Sequence, residues 1–302
     1  MIVNSSLCAT ANGGFAYTGT DHCPVNTSNV RVLAFVKKGE TYGTIDSPTA
    51  IDLDYIQALQ VAKKAVVLNG IFEFTQAVVE DSLKENPDTG ASTVIRKNPY
   101  DYTVIFENKG MFLDNELRKI EAYGYWDVLM FDDKGTLLYT TKVDGTLKGF
   151  TTGMVAVGQY QTGKGTEGAK TTLRFQLTNP EEMSARKAWV IASELGFDAK
   201  SELDGVNYLN ISITAPGDGD TSVAFTIKDA TKGVPSDVFV TANIVGKIGG
   251  VVNVGAVAST GNGGYTKTMT VATGNVVEIS VPIAVIAGKV FESNVATSTT
   301  TA

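Results

Sequence analysis

The chain has 302 residues, 43% of them apolar and 19% charged, a composition that sustains a packed core and excludes gross disorder. Its net charge of −7 argues against a surface built to grip nucleic acid, which needs clustered Lys and Arg against the phosphates. No stretch approaches the ~20 apolar residues of a membrane span, and the start, Met1-Ile2-Val3-Asn4-Ser5-Ser6-Leu7-Cys8, has neither a basic opening nor an apolar run of the signal-peptide kind. The expectation is a protein made and folded in a cytoplasm.

The N-terminal stretch holds both cysteines, Cys8 and Cys23, and the sole histidine, His22. In a reducing compartment free thiols are expected rather than a disulfide. Three donors without a second close-spaced pair lack the spacing of a structural zinc site, so no metal is assigned and the role of these residues is left open. The 31 glycines and the frequent Thr, Val and Asn point to strands joined by tight turns.

In chain order, Val30–Val36 reads as a mostly buried strand, with a hairpin-type turn at Lys37-Lys38-Gly39-Glu40. Ile51 to Lys64 has mixed spacing that suits a short helix, and Ile71–Thr75 returns to period two. From Glu80 to Pro99 the chain is polar, centred on Asn86-Pro87-Asp88-Thr89-Gly90. Such an excursion is either an arm reaching a neighbouring subunit or a surface loop. Tyr102–Glu107 is a strand. Asp114–Tyr123 is the clearest helical pattern, with Asp114 as N-cap and Gly124 as stop. The clearest hairpin joins Trp126–Phe131 to Thr136–Thr140 through Asp132-Asp133-Lys134-Gly135. Asp144-Gly145 then leads into Met154–Gly158, Thr172–Leu177 alternates, and Glu181–Trp189 suits a short closing helix or turn.

Texture changes near residue 200, which predicts two domains, 1–198 and 199–302. Beyond the change, strands are expected at Tyr208–Thr214, Ser222–Lys228, Asp237–Val245, Val251–Ala258, Thr266–Thr273 and Val276–Val285. About seven short strands in some 95 residues suit an immunoglobulin-like sandwich, with Thr297–Ala302 as a frayed polar tail. The fold class is thus mainly β: a sandwich or barrel with one or two short helices, then an Ig-like sandwich.

No catalytic or cofactor-binding residue is assigned, and the chain is expected not to be an enzyme. Gly163–Thr171 looks like a phosphate-binding loop, but Ala169 interrupts the motif and a strand follows where a helix N-terminus is needed. Asp218-Gly219-Asp220 and Asp132-Asp133 lack the ligand spacing of a calcium loop and suit turns. With His22 as the sole imidazole and no nucleophile elbow, a catalytic triad has few parts to draw on. The aromatics Tyr123-Gly124-Tyr125-Trp126 suit core packing better than a stacking platform for a sugar or base.

One resemblance adds to this. Leu117-Arg118-Lys119-Ile120 before Tyr125-Trp126-Asp127-Val128-Leu129-Met130-Phe131-Asp132, the Asp144-Gly145…Lys148-Gly149-Phe150 turn, and Gly165-Thr166-Glu167-Gly168-Ala169-Lys170 leading into Thr172–Thr178 resemble structural proteins of tailed bacteriophages, especially those of Bacteroidetes hosts. The likeness spans about residues 30–190. It implies a tail-tube-like or ring-forming virion protein: a homo-oligomer with other virion proteins as partners, no cofactor, no membrane, and DNA passing without being held. Alternatives are a head auxiliary or decoration protein on the capsid, a bacterial adhesin or fimbrial subunit, and a glycan-binding module or sugar hydrolase.

Overall fold

The computed structural model describes residues 4–5, 29–77, 80–85, 92–164 and 166–301. The chain divides into two compact units, Met1–Leu203 and Asp204–Ala302, each with its own core, and both are mainly β. The division falls after Leu203 rather than at 198/199, because Ala199 and Leu203 are buried with the first unit.

In the first unit the chain runs β1 (Asn4–Ser5), β2 (Val30–Lys37), α1 (Leu53–Val61), β3 (Ala65–Asn69), β4 (Glu73–Ala77), β5 (Ser82–Glu85), β6 (Ser92–Arg96), β7 (Tyr100–Glu107), α2 (Gly110–Arg118) and β8 (Ala122–Tyr123). It continues through β9 (Trp126–Asp132), β10 (Leu137–Thr141), β11 (Leu147–Lys148), β12 (Phe150–Val157), β13 (Lys170–Leu177), α3 (Pro180–Ser184), β14 (Lys187–Val190), α4 (Ala192–Leu195) and α5 (Ala199–Glu202).

The organising strand is β9. One edge pairs with β2; the other is shared, Leu137 and Leu138 of β10 lying beside Phe131 and Met130, while Phe150 and Thr151 of β12 lie beside Val128 and Asp127. The sheet therefore forks into a branch through β10 and β14 and a branch β12-β13-β7-β4. A bulge in β12 between Thr152 and Val155 bends that strand away from β9. Both branches and β2 contribute to one core, where Phe35 of β2 meets Phe175 of β13 edge-on with ring centroids 5.5 Å apart.

The outer face of β2, β9 and β10 carries a second core, covered by Ile56 and Leu59 of α1 and by Leu195, Phe197, Ala199 and Leu203. With both faces covered, β2 and β9 must be apolar at almost every position, and this explains the unbroken run that reads as a buried strand at Val30–Val36.

Several local expectations need correction. Lys37–Glu40 is a turn but not a hairpin: the chain leaves it for α1 and returns as β3, which pairs with β2. Helix α2 lies earlier than the pattern suggests, so Asp114 is not its N-cap. It sits buried inside the helix, with Arg118 Nε 2.9 Å from its Oδ2. Gly124 stops no helix; with φ of +66° it follows the short strand β8. Glu181–Trp189 splits into α3 and β14, the latter pairing with β10. The Asp132–Gly135 turn is as expected: Asp132 Oδ1 accepts the backbone N–H of Lys134 and of Thr136 at 2.9 and 2.7 Å.

The second unit comprises β15 (Asn207–Ile213), β16 (Ser222–Asp229), β17 (Val245–Ile248), β18 (Val251–Asn253), β19 (Val257–Gly261), β20 (Gly264–Thr268), β21 (Val276–Ser280), β22 (Ala284–Ile286), β23 (Lys289–Ser293) and β24 (Ala296–Thr299). They form a six-stranded sheet, β19-β20-β16-β15-β23-β22, and a four-stranded sheet, β18-β17-β21-β24. Both contribute to one core that includes Ile211, Phe225, Tyr265, Val277 and Ile279, as the two sheets of a β-sandwich do. Five expectations need correction here. Most of Asp237–Val245 is irregular with a 3-10 turn at Thr241–Asn243, Val251–Ala258 and Val276–Val285 each break into two strands, and the strand expected at Thr266–Thr273 lies at Gly264–Thr268. The expected tail is instead β24, whose Thr297–Thr299 pairs with β21.

Candidate assembly surface

The polar excursion after β4 folds into a ribbon of its own. Strands β5 and β6 pair only with each other among the described residues, and Asn86–Gly90 at the centre lies outside those residues. Leu83 stands opposite Val94 in this ladder, so the two side chains share a face, and both are exposed, at 58% and 51%. Glu85 lies opposite Ser92, which places its carboxylate on that same face. The remaining described side chains of both strands are exposed too.

The root of the ribbon is fastened by Asn98, whose backbone N–H donates to Asp81 Oδ1 at 3.2 Å and whose side-chain amide donates to the Glu80 carbonyl at 2.5 Å. Beside it lies a cleft of about 330 Å³ lined by Gln76, Asp81, Lys97, Tyr100, Pro180 and Ser184. The adjoining strand β4 ends its branch of the sheet, pairing among the described residues with β7 alone, and Phe74 is its single buried residue. Among the described residues, the ribbon and the free side of β4 both leave strand edges without a partner strand.

The chemical motifs resolve otherwise. Around Gly163–Thr171, Lys164 bridges Glu167 and Gln161 bridges Lys170, a tight turn feeding β13 with no helix after it; Gly165 lies outside the described residues. Asp220 Oδ2 accepts the Gly217 N–H at 2.7 Å and Asp218 Oδ1 accepts the Thr273 N–H at 2.8 Å, so both carboxylates serve backbone turns. Trp126 is buried and donates to the Ile120 carbonyl at 2.9 Å, whereas Tyr123 and Tyr125 are exposed at 86% and 46% and do not pack in the core. Cys8, His22 and Cys23 lie outside the described residues. Among the described residues no group of three or more His, Cys, Asp or Glu is placed to hold a metal ion.

Two charged arrangements escape a reading of the sequence. At the fork, Lys148 Nζ meets Glu182 Oε1 at 2.7 Å; Thr151 donates its N–H to Glu182 Oε2 at 2.7 Å and its hydroxyl to Oε1 at 3.0 Å. Burial raises the nearby Asp127 carboxyl above the usual range, opposed by Lys148 and by the Gly39 N–H, 3.3 Å from Asp127 Oδ2. This ion pair ties α3 to the point where the sheet divides, and its partners lie far apart in sequence, so no local spacing announces it. In the second unit, Lys267 is buried at 1% exposure and donates to the Gly255 carbonyl at 2.8 Å. Burial lowers its pKa. Its side chain passes over Gly246, where a Cβ would come within 2.6 Å of Lys267 Cε.

No protein-family model matches the chain, and no curated protein matches it. Among the described residues no helix is long and apolar enough to cross a membrane.

Proposed function

We propose that the chain is a structural subunit of a tailed-bacteriophage virion, made in the bacterial host cytoplasm and assembling with copies of itself into a tail tube or connector-like ring. The observation that carries this reading is the β5–β6 ribbon. A two-stranded ribbon with both faces wet is marginal in water by itself. This one also holds Leu83 and Val94 side by side in solvent, near an edge of β4 that has no partner strand among the described residues. Contact with another subunit would bury the apolar pair and satisfy the strand edge, which is the arrangement a ring of identical subunits repeats.

The resemblance over residues 30–190 supplies the kind of assembly. The net charge of −7 suits a wall along which DNA moves without adhering. Function here resides in surface complementarity, so no cofactor and no catalytic set enters the reading.

The test replaces residues 81–97 with a short Gly-Ser link and compares the variant with the intact chain by multi-angle light scattering. The intact chain is expected to form assemblies of defined mass, and the variant to be a folded monomer. Assemblies of equal mass from both would remove the ribbon from the account. An intact chain that binds empty capsids but never itself would instead make the protein a capsid decoration.

A further inference from the structure

The ribbon sits at one end of the β4–β7 strand pair. In that ladder Ala77 lies opposite Asp101, next to the ribbon, while Glu73 lies opposite Ile105 at the far end, about 14 Å away along the strand. At this far end a second apolar surface is exposed: Phe72 at 54% and Met111 at 66%. The two segments adjoin, because a Cβ on Gly70 would come within 2.7 Å of Lys109 Nζ, which brings the corner before β4 beside the start of α2.

Charge distinguishes the two ends. The Arg31 guanidinium donates to the carbonyls of Ile71 and Phe72, both at 3.1 Å, and neither Arg31 nor Lys109 meets a carboxylate within ion-pair range among the described residues. Near these two cations lie Glu73 and, at the end of β7, Glu107, which stands opposite Lys170 in the β7–β13 ladder, so the described charges at this end sum to positive. The apolar face of the ribbon carries the opposite sign: within the paired stretches Leu83–Glu85 and Ser92–Val94, Glu85 is its one charge.

Resting on the assembly reading above, we infer that the ribbon of one copy docks head-to-tail on the Phe72–Met111 surface of the next, with Glu85 facing Lys109. Donor and acceptor surfaces lie at opposite ends of one strand pair, so each copy offers one and receives one. Such heterologous contacts build closed rings or continuing stacks rather than two-fold dimers. The apolar pairs supply burial, and the carboxylate–ammonium pair selects orientation.

Cysteine cross-linking tests this in a Cys8→Ser, Cys23→Ser background. Leu83→Cys and Met111→Cys variants are mixed and oxidised; disulfide-linked pairs are expected on mixing and not from either variant alone. The double variant Leu83→Cys, Met111→Cys is expected to give a ladder of trimers and larger species. Lys109→Glu is expected to weaken assembly at least tenfold, and adding Glu85→Lys to restore it. Assemblies that form normally while giving no ladder, or in which the Leu83→Cys variant links mainly to another copy of itself, overturn the docking mode and leave the proposed function standing. A chain that remains monomeric overturns both.

Discussion

At the scale of single residues, buried charge is where sequence and structure part most. Lys267 reads as an ordinary polar position of an alternating strand, yet it lies inside the sandwich, where its ammonium donates to the Gly255 carbonyl and meets no carboxylate within ion-pair range among the described residues. Burial disfavours its charged form, so its folded pKa lies below the ordinary 10.5. The resulting penalty on the fold is complete below that lowered value and fades as pH rises through 10.5. Lys267→Met is therefore expected to stabilise the second unit by about 1 kcal/mol at pH 7, narrowing toward nothing near pH 11. Denaturant titrations at the two pH values check this. A loss of stability would show that the bond to Gly255 outweighs desolvation, and a gain independent of pH would show that the buried charge is not its source. Asp101 is the opposite case. Arg174 on the neighbouring strand grips its carboxylate in a bidentate pair and holds its pKa low, so that contribution is present above the ordinary carboxylate value of 3.8 and lost as pH falls below it. The guanidinium is half exposed, and the pair is worth little at high salt.

At the scale of elements, legibility follows the number of covered faces. Strands with one wet face, such as Thr172–Leu177, announce themselves by alternation, and β2 and β9 by unbroken apolar runs. The start of α2 escapes the sequence pattern because its first turn exposes Met111 and lacks a side-chain cap, removing the signals by which a helix start is recognised. The last strand escapes it for a related reason. Ala296–Thr299 is all small and, after Ala296, polar, and pairing with Val276–Ile279 makes it a strand. This pairing has an energetic consequence: ending the chain at Val295 would strip β21 of one neighbour and uncover Ile279, which is fully buried. Such a truncation is expected to destabilise the second unit by about 2–4 kcal/mol. A thermal midpoint unchanged from the full chain would return residues 296–302 to the status of a loose tail.

At the scale of the whole molecule, the mainly β class and the two-unit division are legible, because composition and turn spacing report them directly. The candidate surface is legible only as a polar interval between Glu80 and Pro99. Its polarity marks it as exposed, but the pairing of Leu83 with Val94 depends on register, including a shift between Ser82 and Leu83 that no local pattern encodes. The receiving surface is not legible at all, since Phe72 and Met111 lie far apart in sequence and their segments adjoin only where Gly70 comes beside Lys109. The proposed function rests on copies of this chain recognising one another. Negative-stain electron microscopy of the purified full chain, across a hundredfold concentration range, tests that most directly. Rings or stacked tubes of uniform diameter are the predicted result; isolated particles of single-chain size at every concentration would contradict it.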